Sequence, residues 1–198
     1  MLVAQGPSSA GKPSVDFLPL LSASAPFCQE GLHPGRCALS PRLQCTCPVA
    51  PAMHHCPDPM RVVFDTSVVV AAMHSSRGAS FALLSSIPSS RFQLCLSVPL
   101  YLEWQDVLTR PEHLPPGRSA QDALAALRGL AASAHLQEIH YLWRPFLGDA
   151  NDDMVLELAL AAGCHCIVTH NVRDFTGAEQ LGVGIVLPGE FLRLISQP

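Results

Sequence analysis

The sequence predicts an α/β fold: a mainly parallel sheet with helices on both faces. Three observations carry that expectation. From residue 60 onward, short apolar runs ("RVVF", "FQLCLS", "CIVTH", "GIVL") alternate with longer segments of helical spacing. The runs are apolar nearly throughout rather than at every second residue, as strands covered on both faces are. Polar and acidic residues collect just past the ends of two of these runs, where open parallel sheets place their working groups.

Taken in order, "RVVF" is the first strand, "SVVVAAMHS" continues into a helix, and Gly78 to Ile87 forms a second helical piece. "FQLCLS" is the next strand. Pro99 then suits the first turn of a helix reaching Leu108, with Ser97 as its cap. Residues 111–117 read as a loop, and Ser119 to about Ser133 as an alanine-rich helix. A short strand is expected at Ile139 to Leu142, followed by a loop carrying Asp149 and a helix from about Asp152 to Ala162. The strand "CIVTH", a turn, the strand "GIVL" and a last helix "PGEFLRLI" complete the chain.

The 198 residues suffice for one ordinary α/β domain and hardly for two. Composition changes near residue 60. Residues 1–59 are crowded with Pro, Ser, Cys and Gly and show no period beyond "DFLPLL", so they are expected to be a disordered, low-complexity extension. Met60 opens a strand directly and Met53 is a second candidate start. An upstream extension translated from a mis-assigned start in GC-rich DNA is therefore the expectation, with the folded domain spanning 60–198. Five of the eight cysteines lie in the extension (Cys28, Cys37, Cys45, Cys47, Cys56), but only "CTC" approaches zinc-ligand spacing. "GPSSAGKP" imitates a phosphate loop yet ends in Pro13 where the magnesium-binding hydroxyl belongs.

A hydrophobic content of 48% against 14% charged describes a compact soluble protein. No apolar run reaches the ~18–20 residues of a membrane helix and no secretory leader is visible, so the expectation is a cytoplasmic protein with no membrane partner. The net charge of −4 argues against a broad basic face for nucleic acid. Residues 60–198 hold nine Arg and no Lys, which leaves phosphate contact to arginine. Arg110, Arg144 and Arg173 are the candidates by position. Cys95, Cys164 and Cys166 read as core thiols, and His170 as a histidine near the acidic edge that could touch substrate.

The acids carry the chemistry. Asp65 interrupts "RVVFDTSVVVAAM" between two apolar segments, where a carboxylate is costly to desolvate without a cation. Glu103 falls on the apolar row Leu100, 103, Val107 of its helix. Asp149, Asp152 and Asp153 crowd one helix start, more acids than capping requires, and such neighbours repel unless a cation joins them. Asp174 follows another strand end, with Asn171 beside it. Hard oxygen donors from several strand ends, without a spaced histidine cluster, suit Mg2+ or Mn2+, and phosphodiester hydrolysis is the chemistry that uses such a cage. A dehalogenase-type phosphatase also starts from a strand and an aspartate, but needs D-x-D, and Ser67 stands at the second position.

At "VVFDTSVVVAA", "LSVPLYLEWQDVLTR", "GDANDDMVLELALAAGCHCIVTHNVRDF" and "GIVLPGEFL" the chain resembles PIN-domain proteins of the VapC-like type, the toxins of bacterial toxin-antitoxin pairs. The resemblance covers about residues 60–195. It implies a three-layer α/β/α sandwich and a magnesium- or manganese-dependent endoribonuclease. Asp65, Glu103, Asp152 or Asp153, and Asp174 match the family's four acids, with Asp149 as an additional metal ligand. Thr66 and Ser67 match positions where a hydroxyl commonly orients the first carboxylate, and Asn171 stands beside the fourth acid; Arg173 is a candidate for substrate contact by position alone, because it flanks the site. The implied partners are RNA, a cognate antitoxin protein and a second copy in a homodimer. Ser67 stands where Asn is usual, Ala150 and Asn151 where Pro and Asp are, and Asn171 where relatives often carry Asp. These departures imply weaker metal binding. The alternative reading is a catalytically inactive PIN-like module that binds RNA or the antitoxin.

Overall fold

The structure is a computed structural model and describes residues 59–142 and 144–197. The readings made for residues 1–58, namely the extension, its cysteines and the imitation phosphate loop, lie outside the described residues. Five strands, β1 (Met60–Phe64), β2 (Phe92–Leu96), β3 (His135–Leu136), β4 (Cys166–Val168) and β5 (Gly184–Val186), form an all-parallel sheet in the order β3-β2-β1-β4-β5. The helices are α1 (Thr66–His74), α2 (Ala79–Ser85), α3 (Val98–Leu108), α4 (Ala120–Ser133), α5 (Ala150–Ala161) and α6 (Pro188–Ser196).

The strand order dictates the layers. From β1 the chain steps through β2 to β3 at one edge, then returns past β1 to β4 by way of α5. Right-handed crossovers in opposite directions put their helices on opposite faces, so α5 covers the face that α1 to α4 leave open. On the α1 to α4 side, Phe64 and Phe92 meet Phe191 of α6, with ring centroids 5.5–6.4 Å apart. Each such aromatic pair contributes about 0.5–1.5 kcal/mol beyond the burial of its area. The result is the three-layer α/β/α sandwich that the resemblance implies, with β1 at the centre of the sheet.

Local signals explain where the helices start. Ser97 accepts the Leu100 amide at 3.4 Å and Pro99 sits in the first turn of α3. Ser119 and Asp122 close a reciprocal capping box on α4. Asp149 caps α5 by accepting the Asn151 amide at 2.9 Å. That cap starts α5 at Ala150, two residues earlier than expected from the apolar row.

Two further expectations are corrected. The strand placed at Ile139 to Leu142 lies instead at His135–Leu136, where the chain leaves α4 and pairs at once with Cys95 and Leu96. Tyr141 and Leu142 are exposed, so their apolar character had imitated a buried strand. On α3 the buried stripe is Leu100, Trp104 and Leu108, an i, i+4, i+8 row, and Glu103 stands half-buried on its shoulder. Cys95, Cys164 and Cys166 are buried thiols as expected, and burial pushes Cys166 to about 11.

Candidate active site

β1 is central and ends at Phe64, so Asp65 emerges at the carboxyl edge of the sheet between the ends of β2 and β4. It occupies the N-cap of α1 but caps nothing. Its Oδ2 instead accepts two hydroxyls, Ser67 Oγ at 2.5 Å and Thr169 Oγ1 at 2.7 Å. Ser67 Oγ also receives the His170 amide at 3.1 Å, and Thr169 Oγ1 receives the Asn171 amide at 2.9 Å. A hydrogen-bonded chain therefore ties the exits of β1 and β4 together and uses only one oxygen of Asp65.

Glu103 is held by Thr66, whose Oγ1 donates to Oε1 at 2.5 Å. Its other oxygen, Oε2, is buried without a hydrogen-bond partner among the described residues. Burial raises the Glu103 pKa first, and the charges of Asp65 and Asp149 raise it further, against the Thr66 hydrogen bond and the Arg110 guanidinium.

Asp152 reports the whole arrangement. Burial, followed by the negative charges of Asp65, Asp149, Asp174 and Glu103, pushes its carboxyl from 3.8 to about 6. Those five acids come from β1's exit, α3, the start of α5 and the short 3-10 helix Val172–Phe175, and they share one electrostatic neighbourhood. Asp153, next in sequence, is 2% exposed and turned elsewhere: Oδ1 accepts the Phe146 and Leu147 amides at 3.2 and 2.7 Å. A rotation of about 100° per residue along α5 separates the two roles.

Among the described residues, no three acid, histidine or cysteine side chains converge closely enough as they lie to hold an ion. The donor set nevertheless fits a hard divalent cation: all oxygen, drawn from separate elements, with one buried Glu103 oxygen left unpartnered.

The arginines are placed as follows. Arg144 pairs with Glu157, a carboxylate 1% exposed on α5, at 3.2 Å. It is thus committed to a buried charge rather than offered to phosphate, which corrects its candidacy. Arg110, two residues past the end of α3, pairs with Asp106 in the last turn of that helix. Arg173 is exposed on the same 3-10 turn as Asp174. The Oγ of Ser80, itself nearly buried, lies 2.9 Å from Nε2 of the otherwise exposed His170. Sequence reasoning missed Thr169 and Glu157. A threonine closing the apolar run "CIVT" is ordinary strand composition and gave no signal; Glu157, inside "MVLELALAA", had only its apolar surroundings.

A parallel α/β/α sandwich that gathers acids at the carboxyl edge of its central strand defines a class of PIN-like proteins. The PIN domain profile matches residues 61–173, more than half of the chain, and the chain belongs to the PIN-domain family. Among solved structures it is similar to VapBC-1 from nontypeable Haemophilus influenzae, at 17% identity and a TM-score of 0.46, over 66% of this chain and 99% of that one. No curated protein sequence matches it.

Proposed function

We propose that the protein is a divalent-metal-dependent endoribonuclease, hydrolysing RNA phosphodiester bonds at the acidic edge of its sheet. The observation that carries the proposal is the convergence of Asp65, Glu103, Asp149, Asp152 and Asp174, registered by the rise of Asp152 to about 6 with no cation among the causes. The residues that would hold Mg2+ or Mn2+ are Asp65, Glu103, Asp149, Asp152 and Asp174, and the departures at Ser67 and Asn171 are consistent with modest affinity. Bound there, the cation would supply a water of lowered pKa and charge stabilisation for the phosphoryl oxygens.

The chain's own residues prepare that site. Ser67 and Thr169 fix Oδ2 of Asp65 and do not engage its other oxygen. Thr66 fixes Oε1 of Glu103 and leaves Oε2 unpartnered. Locking ligand rotamers by hydroxyl partners is the ordinary way a protein orients a metal shell. Asp152 exchanges a proton near neutrality in the metal-free chain, so protons compete with the cation and loading falls below about pH 6. Asp153 supports the site by holding the 146–147 backbone. Arg173, exposed beside Asp174, is the arginine offered to the phosphate backbone.

The resemblance to VapC-like toxins supports the further reading that the enzyme is the toxin of a toxin-antitoxin pair, acting in the cytoplasm as a homodimer restrained by a cognate antitoxin. Among the described residues no helix is long and apolar enough to cross a membrane. The test is RNA cleavage by the full chain and by Asp65→Asn, with Mg2+, with Mn2+ and with EDTA. Metal-dependent cutting by the wild type alone supports the proposal. RNA binding without cutting, and without metal uptake by calorimetry, would replace it with the inactive binding module.

A further inference from the structure

Phe146 is the feature that the nuclease reading leaves unexplained. It is an aromatic residue 40% exposed, yet its backbone is fixed more firmly than an exposed loop residue requires. Its amide and that of Leu147 both donate to the buried Asp153 carboxylate, at 3.2 and 2.7 Å. Asp153 adjoins Asp152, so this anchor ties Phe146 to the first turn of α5, the turn that carries the acidic cluster.

The ring is seated from the other side as well. Gly177 has φ +104, and a Cβ built there would stand 3.7 Å from Phe146 Cε1 and 3.8 Å from Cζ. The tip of the ring therefore meets the backbone of a turn three residues beyond Asp174, at most roughly 11 Å of extended chain away. Phe146 bridges the two elements that bring Asp152 and Asp174 to the site, with part of its surface open to solvent. Tyr141, in the same segment, is 81% exposed and is not packed on the core.

We propose that Phe146 is a base-stacking residue for single-stranded RNA, receiving a nucleobase next to the phosphate that lies at the acidic cluster. The proposal rests on the nuclease reading in taking that cluster as the place where the phosphate sits. The chemistry fits: unpaired bases of RNA stack on aromatic faces, and that contact tolerates any base because each has a π-face. A ring whose backbone is anchored and whose tip rests against Gly177 loses little freedom when a base settles on it. Beside the cluster it supplies apolar contact without adding charge, which an acidic site facing a polyanion needs.

The test uses the full chain with Asp65→Asn, so that RNA stays intact, and short single-stranded RNAs carrying 2-aminopurine at each position in turn. Stacking predicts quenching at one position, lost in Asp65→Asn/Phe146→Leu, which keeps an apolar contact on Gly177, and restored by Phe146→Trp. In chains carrying Asp65, Phe146→Leu is expected to raise KM for RNA by roughly five- to a hundredfold with kcat little changed, whereas Tyr141→Ala leaves both KM and kcat unchanged. Quenching that is absent at every position, or that is unchanged by Phe146→Leu, overturns the proposal and points to an apolar protein segment as the occupant of this surface. Cleavage by the wild type is scored separately: a chain that quenches but never cuts would refute the nuclease while keeping the stacking contact.

Discussion

Replacing Asp152 by Asn should stabilise the metal-free protein, although it removes a residue from the proposed site. In the wild type the Asp152 carboxyl titrates near 6 instead of 3.8, because burial and four neighbouring carboxylates disfavour its charge. Between about pH 4 and pH 6 the folded chain therefore binds more protons at this group than the unfolded chain does. Stability contributed by the protonated form is complete below 3.8 and is lost as pH rises through 6. At about 1.36 kcal/mol per pH unit the loss would be roughly 3 kcal/mol, but the side chain is only half-buried, and solvent screening reduces this to about 1 kcal/mol. For a folded part of this size, that is a rise of about 3–4 °C in Tm for Asp152→Asn at pH 8. Thermal unfolding by circular dichroism in EDTA, at pH 8 and at pH 4, measures it: the gap between variant and wild type should be present at the first pH and nearly closed at the second. Equal unfolding temperatures at pH 8 would mean that Asp152 is not crowded by the other acids, and the case for a shared cluster would fall with it. Millimolar Mg2+ should then shrink or invert the pH 8 gap, since only the wild type retains the full set of donors.

Two other substitutions separate roles that the sequence left merged. Asp153→Ala orphans the Phe146 and Leu147 amides and should cost about 2 kcal/mol in denaturant unfolding, while calorimetric Mg2+ affinity falls much less than the tenfold or more expected of Asp152→Ala. Arg144→Ala takes a cation away from the buried Glu157 carboxylate; because Arg144 is itself 39% exposed and water can enter, the expected loss is about 2 kcal/mol rather than the full cost of a sealed pair, with RNA affinity unchanged. Pairing it with Glu157→Leu should recover most of that stability, whereas an unchanged unfolding midpoint in Arg144→Ala would show the pair to be incidental.

The sheet was legible because parallel strands buried on both faces are apolar nearly throughout, and "RVVF", "FQLCL" and "CIV" are so apart from Arg61 and Gln93. The edge was not. β3 has only two residues and one of them, Leu136, is exposed, so nothing in composition separates it from the Ile139 to Leu142 run that imitated it. Asp65 and Glu103 announced themselves as carboxylates in apolar company. Asp152 and Asp153 could not be told apart, because neighbouring acids differ only by helical rotation and by what the preceding loop brings to them. Thr169 was hidden for a related reason: its partner lies 104 residues away, and a threonine at a strand end is ordinary β composition.

The central position of β1 carries a consequence in time. Its hydrogen-bonded neighbours are β2 and β4, and the last acid of the cluster is Asp174, more than a hundred residues after Asp65. At a synthesis rate of about 5–20 residues per second, the ribosome needs on the order of 5–20 seconds to travel from one to the other. During that interval β1 has no β4 beside it, Asp65 has no Thr169 hydroxyl, and the acids are not gathered. Until Asp174 has been made, a nascent chain therefore lacks the gathered acidic edge.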